Sequence, residues 1–257
     1  MQYPRLVFTL LIAGALALTV YLVVDYSKYK QDRDEKSIEL GKQAGIRVAN
    51  ALDARLYAVA ERAVRYATEA VKIKSEERLL ESIQNESLEL PLLLGVTVAY
   101  EPGQFLGKDR YAPFFNKSRN EFQFVEDTYD YTSGELETAR WYTSVVDSGK
   151  AKWSAPYYAE AAEAMVVDYG VPLFNSKGEL TGIVDYTISL SDFTRIVDSL
   201  SVGESGYGFT YESGGAILSH PDPDYLLQSV YQLKDGKDES ILQKMKEDPE
   251  GVVEYNS

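Results

Sequence analysis

Nineteen consecutive residues without a charge, LVFTLLIAGALALTVYLVV from Leu6 to Val24, follow Arg5 and constrain this chain more than any other feature. A run of that length matches the roughly 20 apolar residues a helix needs to cross about 30 Å of hydrocarbon. It reads as a membrane span over 6–25 behind a short cytoplasmic N-terminus, 1–5. Arg5 precedes the run, so the positive-inside tendency places everything after Tyr26 outside the cell. A cleaved signal peptide would need a small-x-small site, and the sequence DYSKYKQDRDEK after Val24 offers no such site.

The rest of the chain bounds what kind of partner the outer part can meet. A net charge of -14 argues against nucleic acid, because neutralising phosphates takes clustered Lys and Arg. The absence of cysteine removes disulfides, thiolate nucleophiles and Cys-based metal sites. His220 is the single histidine, so no His metal cluster can be built, and within LSHPDP it reads as the cap of a hairpin end. No carboxylate spacing names a reaction, and no Gly-rich phosphate loop occurs. These features predict no enzyme, no metal and no cofactor.

Periodicity divides the outer part. From Glu35 to Lys72 the chain has no Pro, and Leu52, Leu56, Val59, Ala60, Ala63, Ala67 and Ala70 recur at steps of three and four, one face of a long helix. Its alanines permit close helix approach, which predicts a homodimer through this stalk. SEERLLESIQ reads as a second helix capped by Ser75. From Leu92 the period changes to two: LLLGVTVAY and FQFVEDTYDYT predict strands, and AEAMVVDYGVPLF with ELTGIVDYTISL predicts a hairpin turning at Asn175–Gly178. SLSDFTRIVDSL then predicts a short helix with Ser191 as its cap and Phe193, Ile196, Val197 and Leu200 inward. GYGFTYESGGAILSHP opens a second sheet, too short for a whole module. The fold class is therefore α+β.

The residues that carry a family likeness are WSAPYY at 153–158, the hairpin YGVPLFNSKGELTGIVDYTISL and the hairpin GYGFTYESGGAILSHP. In this order behind a span and a long helix, the chain resembles the double Cache sensor domains of bacterial transmembrane receptors, built of two PAS-like antiparallel-sheet modules on one long helix. The resemblance implies a stalk and second helix over 26–90, a membrane-distal, ligand-holding module over 91–200, and an incomplete membrane-proximal module over 201–257. It also implies an extracytoplasmic ligand sensor relaying to a chemotaxis, kinase, cyclase or phosphatase output in the bacterial inner membrane.

RWYTSVVDSGKAKWSAPYY, residues 140–158, holds both tryptophans and three tyrosines. Rings with a polar tip suit the wall of a half-wet cavity, although a packed core would use them too. In the amino-acid-sensing branch of the family an Arg and a Trp-Tyr pair on one helix, a strand Tyr and a strand-end Asp close on the ligand. That resemblance implies Arg140, Trp141, Tyr142, Tyr157 and Asp185. Arg140 would fork onto a carboxylate and Asp185 would balance an ammonium group. Here Arg140 and Trp141 are adjacent, so a helix would turn them about 100° apart. Asp168 joins the set from the pattern itself, since a carboxylate in a strand of Val and Tyr is costly unless partnered. The expected ligand is a small amine or amino acid, with two acids among rings leaning slightly toward the amine. The rivals are an organic-acid sensor and an anchored hydrolase, the latter without a nucleophile and base.

Overall fold

The computed structural model describes residues 3–198, 207–212 and 214–230, with side chains described from residue 14. The chain begins with one helix, α1 (Tyr3–Ala70), of 68 residues, roughly 100 Å at about 1.5 Å per residue. The long helix expected from Glu35 is thus continuous with the apolar run before it. That run begins among residues whose side chains are not described, and among the described residues no helix is long and apolar enough to cross a membrane. The chain turns through 71–74, where the Lys74 ammonium donates to the Val71 carbonyl at 3.0 Å, and restarts as α2 (Glu76–Glu89). Ser75 holds the N-cap position in extended backbone without a side-chain cap bond, and Glu76 and Glu77 fill the first turn.

The sheet follows: β1 (Gly95–Tyr100), β2 (Pro113–Asn116) and β3 (Glu121–Phe124), then helix α3 (Arg140–Ser148), then β4 (Lys152–Trp153), β5 (Tyr157–Ala159), β6 (Ala164–Phe174) and β7 (Leu180–Ser189). All pairings are antiparallel, in the order β3-β2-β1-β7-β6-β4 with β5 on the same edge of β6. The β6–β7 hairpin turns where expected: Gly178 takes φ +77°, and the Asn175 side-chain oxygen accepts from the Lys177 and Glu179 amides.

Alternation along the strands splits the core into two layers. Val96, Val98, Tyr100, Val184, Tyr186 and Ile188 face α1 and α2, meeting Val59, Ala63, Ala67, Ala70, Leu79 and Ile83. Ala99 and Ile183 face the other way and meet Trp141, Tyr142 and Val145 of α3. Each fully buried apolar side chain of this kind contributes about 1.5–3 kcal/mol. The alanine face of α1 is therefore used inside the chain. Ala63 and Ala70 are fully buried and Ala67 nearly so. This corrects the expectation that those alanines form a dimer contact: the sheet covers them first.

Two further expectations are corrected. The strand predicted through FQFVEDTYDYT ends at Phe124, where side-chain bonds to the backbone take the place of the ladder. Glu126 accepts from the Ala112 amide at 2.8 Å, and Asp130 closes a turn on Thr132, accepting from its amide at 3.0 Å and its hydroxyl at 2.6 Å. The helix after β7, α4 (Leu190–Asp198), has Ser189 rather than Ser191 at its start: the Ser189 hydroxyl oxygen accepts from the Ser191 amide at 3.1 Å. Phe193 and Val197 point inward as expected, and Leu200 lies outside the described residues. Beyond α4 a two-stranded sheet, β8 (Thr210–Tyr211) and β9 (Ile217–Ser219), packs on that helix, and His220 accepts from the Asp222 amide at 3.0 Å just past it. Most of the proximal module expected over 201–257 lies outside the described residues.

Candidate functional site

On the α3 side of the sheet the inward positions of the central strands are polar. Thr97 of β1 pairs across from Asp185 of β7, and Thr187 of β7 pairs across from Asp168 of β6. Asp168 and Asp185 thus share one face as diagonal neighbours, two carboxyls and two hydroxyls in the middle of the sheet. Gly170, directly across from Asp185, lets α3 lie this close: a Cβ there would stand 2.6 Å from the Val145 Cγ2 methyl and 3.4 Å from Asp185 Oδ1.

Aromatic rings roof this polar block. Trp141 comes from α3, Tyr157 from β5 and Tyr129 from the loop after β3. The Trp141 indole N–H donates to the Tyr129 hydroxyl at 2.8 Å, and the Tyr157 hydroxyl donates to Asp168 Oδ2 at 2.6 Å. Between roof and sheet lies a narrow cavity of about 20 Å³, with Phe114, Asp185 and Thr187 in its wall and Ala159, Ala161 and Ala162 at its edge. That space holds about one water molecule, so a larger guest enters only as the aromatic roof moves.

Both carboxyls are buried, Asp168 at 1% and Asp185 at 2% exposure. Oδ1 of each has no hydrogen-bond partner among the described residues. Burial pushes both carboxyls above the ordinary carboxylate range, and the Asp168 charge pushes Asp185 further; bonds from Tyr157 and Thr187 only partly offset this at Asp168. Burial likewise raises Tyr129 and Tyr157, with both Asp charges adding to it, so these phenols stay protonated as donors. Among the described residues no Lys or Arg lines the hollow.

Of the residues expected at the site, Trp141, Tyr157 and Asp185 line the hollow, and Asp168 lies behind them, held by the Tyr157 hydroxyl. Arg140 does not line it. Its side chain is 69% exposed and its guanidinium binds Glu137, Nε at 2.7 Å from Oε2. The reason is the one-residue step on a helix: Trp141 takes the direction of the sheet, and its predecessor turns to water. Tyr142 stands one layer behind the wall, its hydroxyl donating to Glu101 Oε1 at 2.5 Å and its ring edge-on to Tyr131 at 4.9 Å. Sequence reasoning missed Tyr129, Thr97 and Thr187. Thr187 was open to detection two positions after Asp185, on the same face of one strand, whereas Tyr129 reaches the roof only through the irregular loop.

The opposite face of β7 carries a second polar connection. Tyr186, next to Asp185 but facing α1, donates its hydroxyl to Glu86 of α2. Glu86 is 7% exposed and is held by the Arg62 guanidinium of α1 through two bonds, at 2.6 and 2.8 Å.

Residues 79–195 match the family model described as methyl-accepting chemotaxis protein-like, first PDC sensor domain. Over 90 residues the chain is 31% identical to the methyl-accepting chemotaxis protein PctB of Pseudomonas aeruginosa, a stretch that covers 35% of this chain and 14% of that protein. The chain thus spans a small part of the length of the curated relatives it matches. Among solved structures, the extracellular domain of the putative histidine kinase mmHK1S-Z2 superposes with a TM-score of 0.65 at 24% identity, covering 83% of this chain and 82% of that one. The ligand-binding domain of the amino acid chemoreceptor PctC of Pseudomonas aeruginosa, solved with GABA, superposes with a TM-score of 0.53 at 17% identity, covering 79% of this chain and 83% of that one.

Proposed function

We propose that this chain, whose residues 79–195 form a sensor domain of the PDC (Cache) type, is the extracytoplasmic sensing region of a bacterial transmembrane receptor, and that the hollow under Trp141 binds a small primary amine in preference to an amino acid. One observation carries the ligand class. Asp185 in the wall and Asp168 behind it, bonded to Tyr157, are two buried carboxyls, each with an oxygen lacking a partner among the described residues, beside aromatic rings and with no basic side chain among the described residues that line the hollow. A buried carboxylate without a counter-charge is costly, and an ammonium group supplies both the charge and three donors. The faces of Trp141 and Tyr157 add cation–π attraction. A ligand carboxylate would meet Asp185 and find no arginine, because Arg140 points to water; an organic acid fares worse still. GABA, the ligand named for PctC, carries an ammonium group and fits the amine half of this reading.

Leu6–Val24 anchors the chain in this proposal, and α1 carries the signal. The β7 strand holds Asp185 toward the hollow and Tyr186 toward Glu86 and Arg62 of α1, so a shift of β7 on binding is felt by the helix that leads to the membrane. A stalk dimer, if formed, uses a side of α1 other than its alanine face. The test is thermal denaturation of the detergent-solubilised chain against propylammonium, GABA and glutamine at millimolar concentration. Propylammonium should raise Tm by several degrees, more than the two amino acids, and Asp185→Ala should abolish the rise. Equal or greater stabilisation by the amino acids would refute the amine preference, and no stabilisation by any of them would refute the site.

A further inference from the structure

The two carboxyls pose a problem of charge that exists before any guest arrives. Asp168 and Asp185 occupy diagonal positions on one sheet face, both essentially out of water, and each keeps an oxygen without a partner among the described residues. Among the described residues no cation lines the hollow; Lys152 of β4, across Gly170 from Asp185 on the same sheet face, is exposed to water. Thr97 faces them from β1, Trp141 from α3, Tyr157 from β5 and Tyr129 from the loop, all uncharged, and the turn after β5 adds only the acid Glu160 nearby. The arginines of this half of the module are engaged at its surface: Arg110 with Asp130, Arg119 with Glu163, Arg140 with Glu137. Two like charges buried at diagonal positions of one sheet face cannot both persist without a counter-ion.

We infer that the empty pocket holds one proton between Asp168 and Asp185, and that an entering ammonium group displaces it to solvent, making ligand binding a proton-releasing event. This rests on the amine reading above. The charges balance. The empty pair, one carboxyl and one carboxylate, carries -1; with a +1 guest and both carboxylates ionised the site carries -1, and one proton leaves. The pocket is then an amine receptor that weakens in acid, with the pair acting as its switch rather than as a fixed anion.

The measurement is calorimetric titration of propylammonium chloride into the whole solubilised chain at pH 7, in phosphate and in Tris, whose ionisation enthalpies differ. The probe stays protonated throughout, since alkylammonium groups titrate near 10.4. About one proton released per guest should make the observed heat differ between buffers, and the dissociation constant should rise about tenfold per pH unit lowered across the range where the pair is protonated. In Asp168→Asn a single carboxyl remains, ionised by the guest or already charged, and the pH dependence should shift or shrink; Asp185→Asn gives the second comparison should the first fail to fold. Identical heats in the two buffers with an affinity flat in pH would overturn proton release while leaving the amine site standing. Absence of binding at every pH would overturn both. An unchanged pH slope in both Asn variants would assign the proton to another group and overturn this account of it.

Discussion

Removing Arg62 tests the connection between pocket strand and stalk most directly. Glu86 is 7% exposed, and its carboxylate accepts two bonds from the Arg62 guanidinium and one from Tyr186. Arg62→Ala leaves that carboxylate buried with one donor. Breaking a fully buried pair by deleting one partner costs about 3–5 kcal/mol. The Arg62 side chain is 31% exposed, so water can replace part of what is lost, and the expected cost is about 2 kcal/mol. For a chain of this size that lowers Tm by about 4–8 °C. Urea or thermal denaturation of Arg62→Ala, Glu86→Gln and the double variant gives the coupling directly: the two losses should overlap by about 1–2 kcal/mol. Arg140→Ala is the control, since its partner Glu137 is 80% exposed and their pair should contribute no more than about 0.5 kcal/mol. If Arg62→Ala costs no more than Arg140→Ala, or if its loss and that of Glu86→Gln simply add, the pair is not coupled as the geometry requires.

Other outcomes follow from the same structure. Gly170→Ala places a methyl 2.6 Å from Val145 Cγ2 and should cost about 1–3 kcal/mol in denaturation while weakening propylammonium binding, because α3 and Trp141 must move outward. Both pocket carboxyls sit above their unfolded values, so the stability they contribute is full below the ordinary carboxylate value and is lost as pH rises through their raised folded values. Accordingly Asp185→Asn should gain stability relative to the parent chain between pH 5 and pH 8 in thermal scans; a difference independent of pH would contradict the buried pair. Tyr157→Phe removes the donor to Asp168 Oδ2 and should destabilise by about 1.5–3 kcal/mol at pH 8, where that carboxyl is ionised, and by less at pH 5. Tyr186→Phe should leave propylammonium affinity within twofold, measured by calorimetry, because its hydroxyl serves Glu86 on the far side of the sheet.

Local pattern determined a good deal here by itself. The β6–β7 hairpin, its Asn175–Gly178 turn, the helices at Glu76 and Leu190 and the inward face of α1 are all written in spacings of two, three or four residues, which backbone geometry converts to structure without distant help. The gathering of Trp141, Tyr157, Asp168 and Asp185 was open to reading from ring chemistry, from one misplaced acid and from family likeness. What meets each face was not. The alanines at 63, 67 and 70 promise close packing to any neighbour, and only the assembled sheet made that neighbour the chain's own β-strands. Arg140 and Trp141 are consecutive letters, yet which of them enters the pocket depends on how α3 is rotated against Gly170. Thr97 faces Asp185, and Tyr186 reaches Glu86 a hundred residues away, through strand register and helix docking. Those are non-local choices, fixed when the whole module packs, because a periodic pattern specifies which side of an element is buried but not which element covers it.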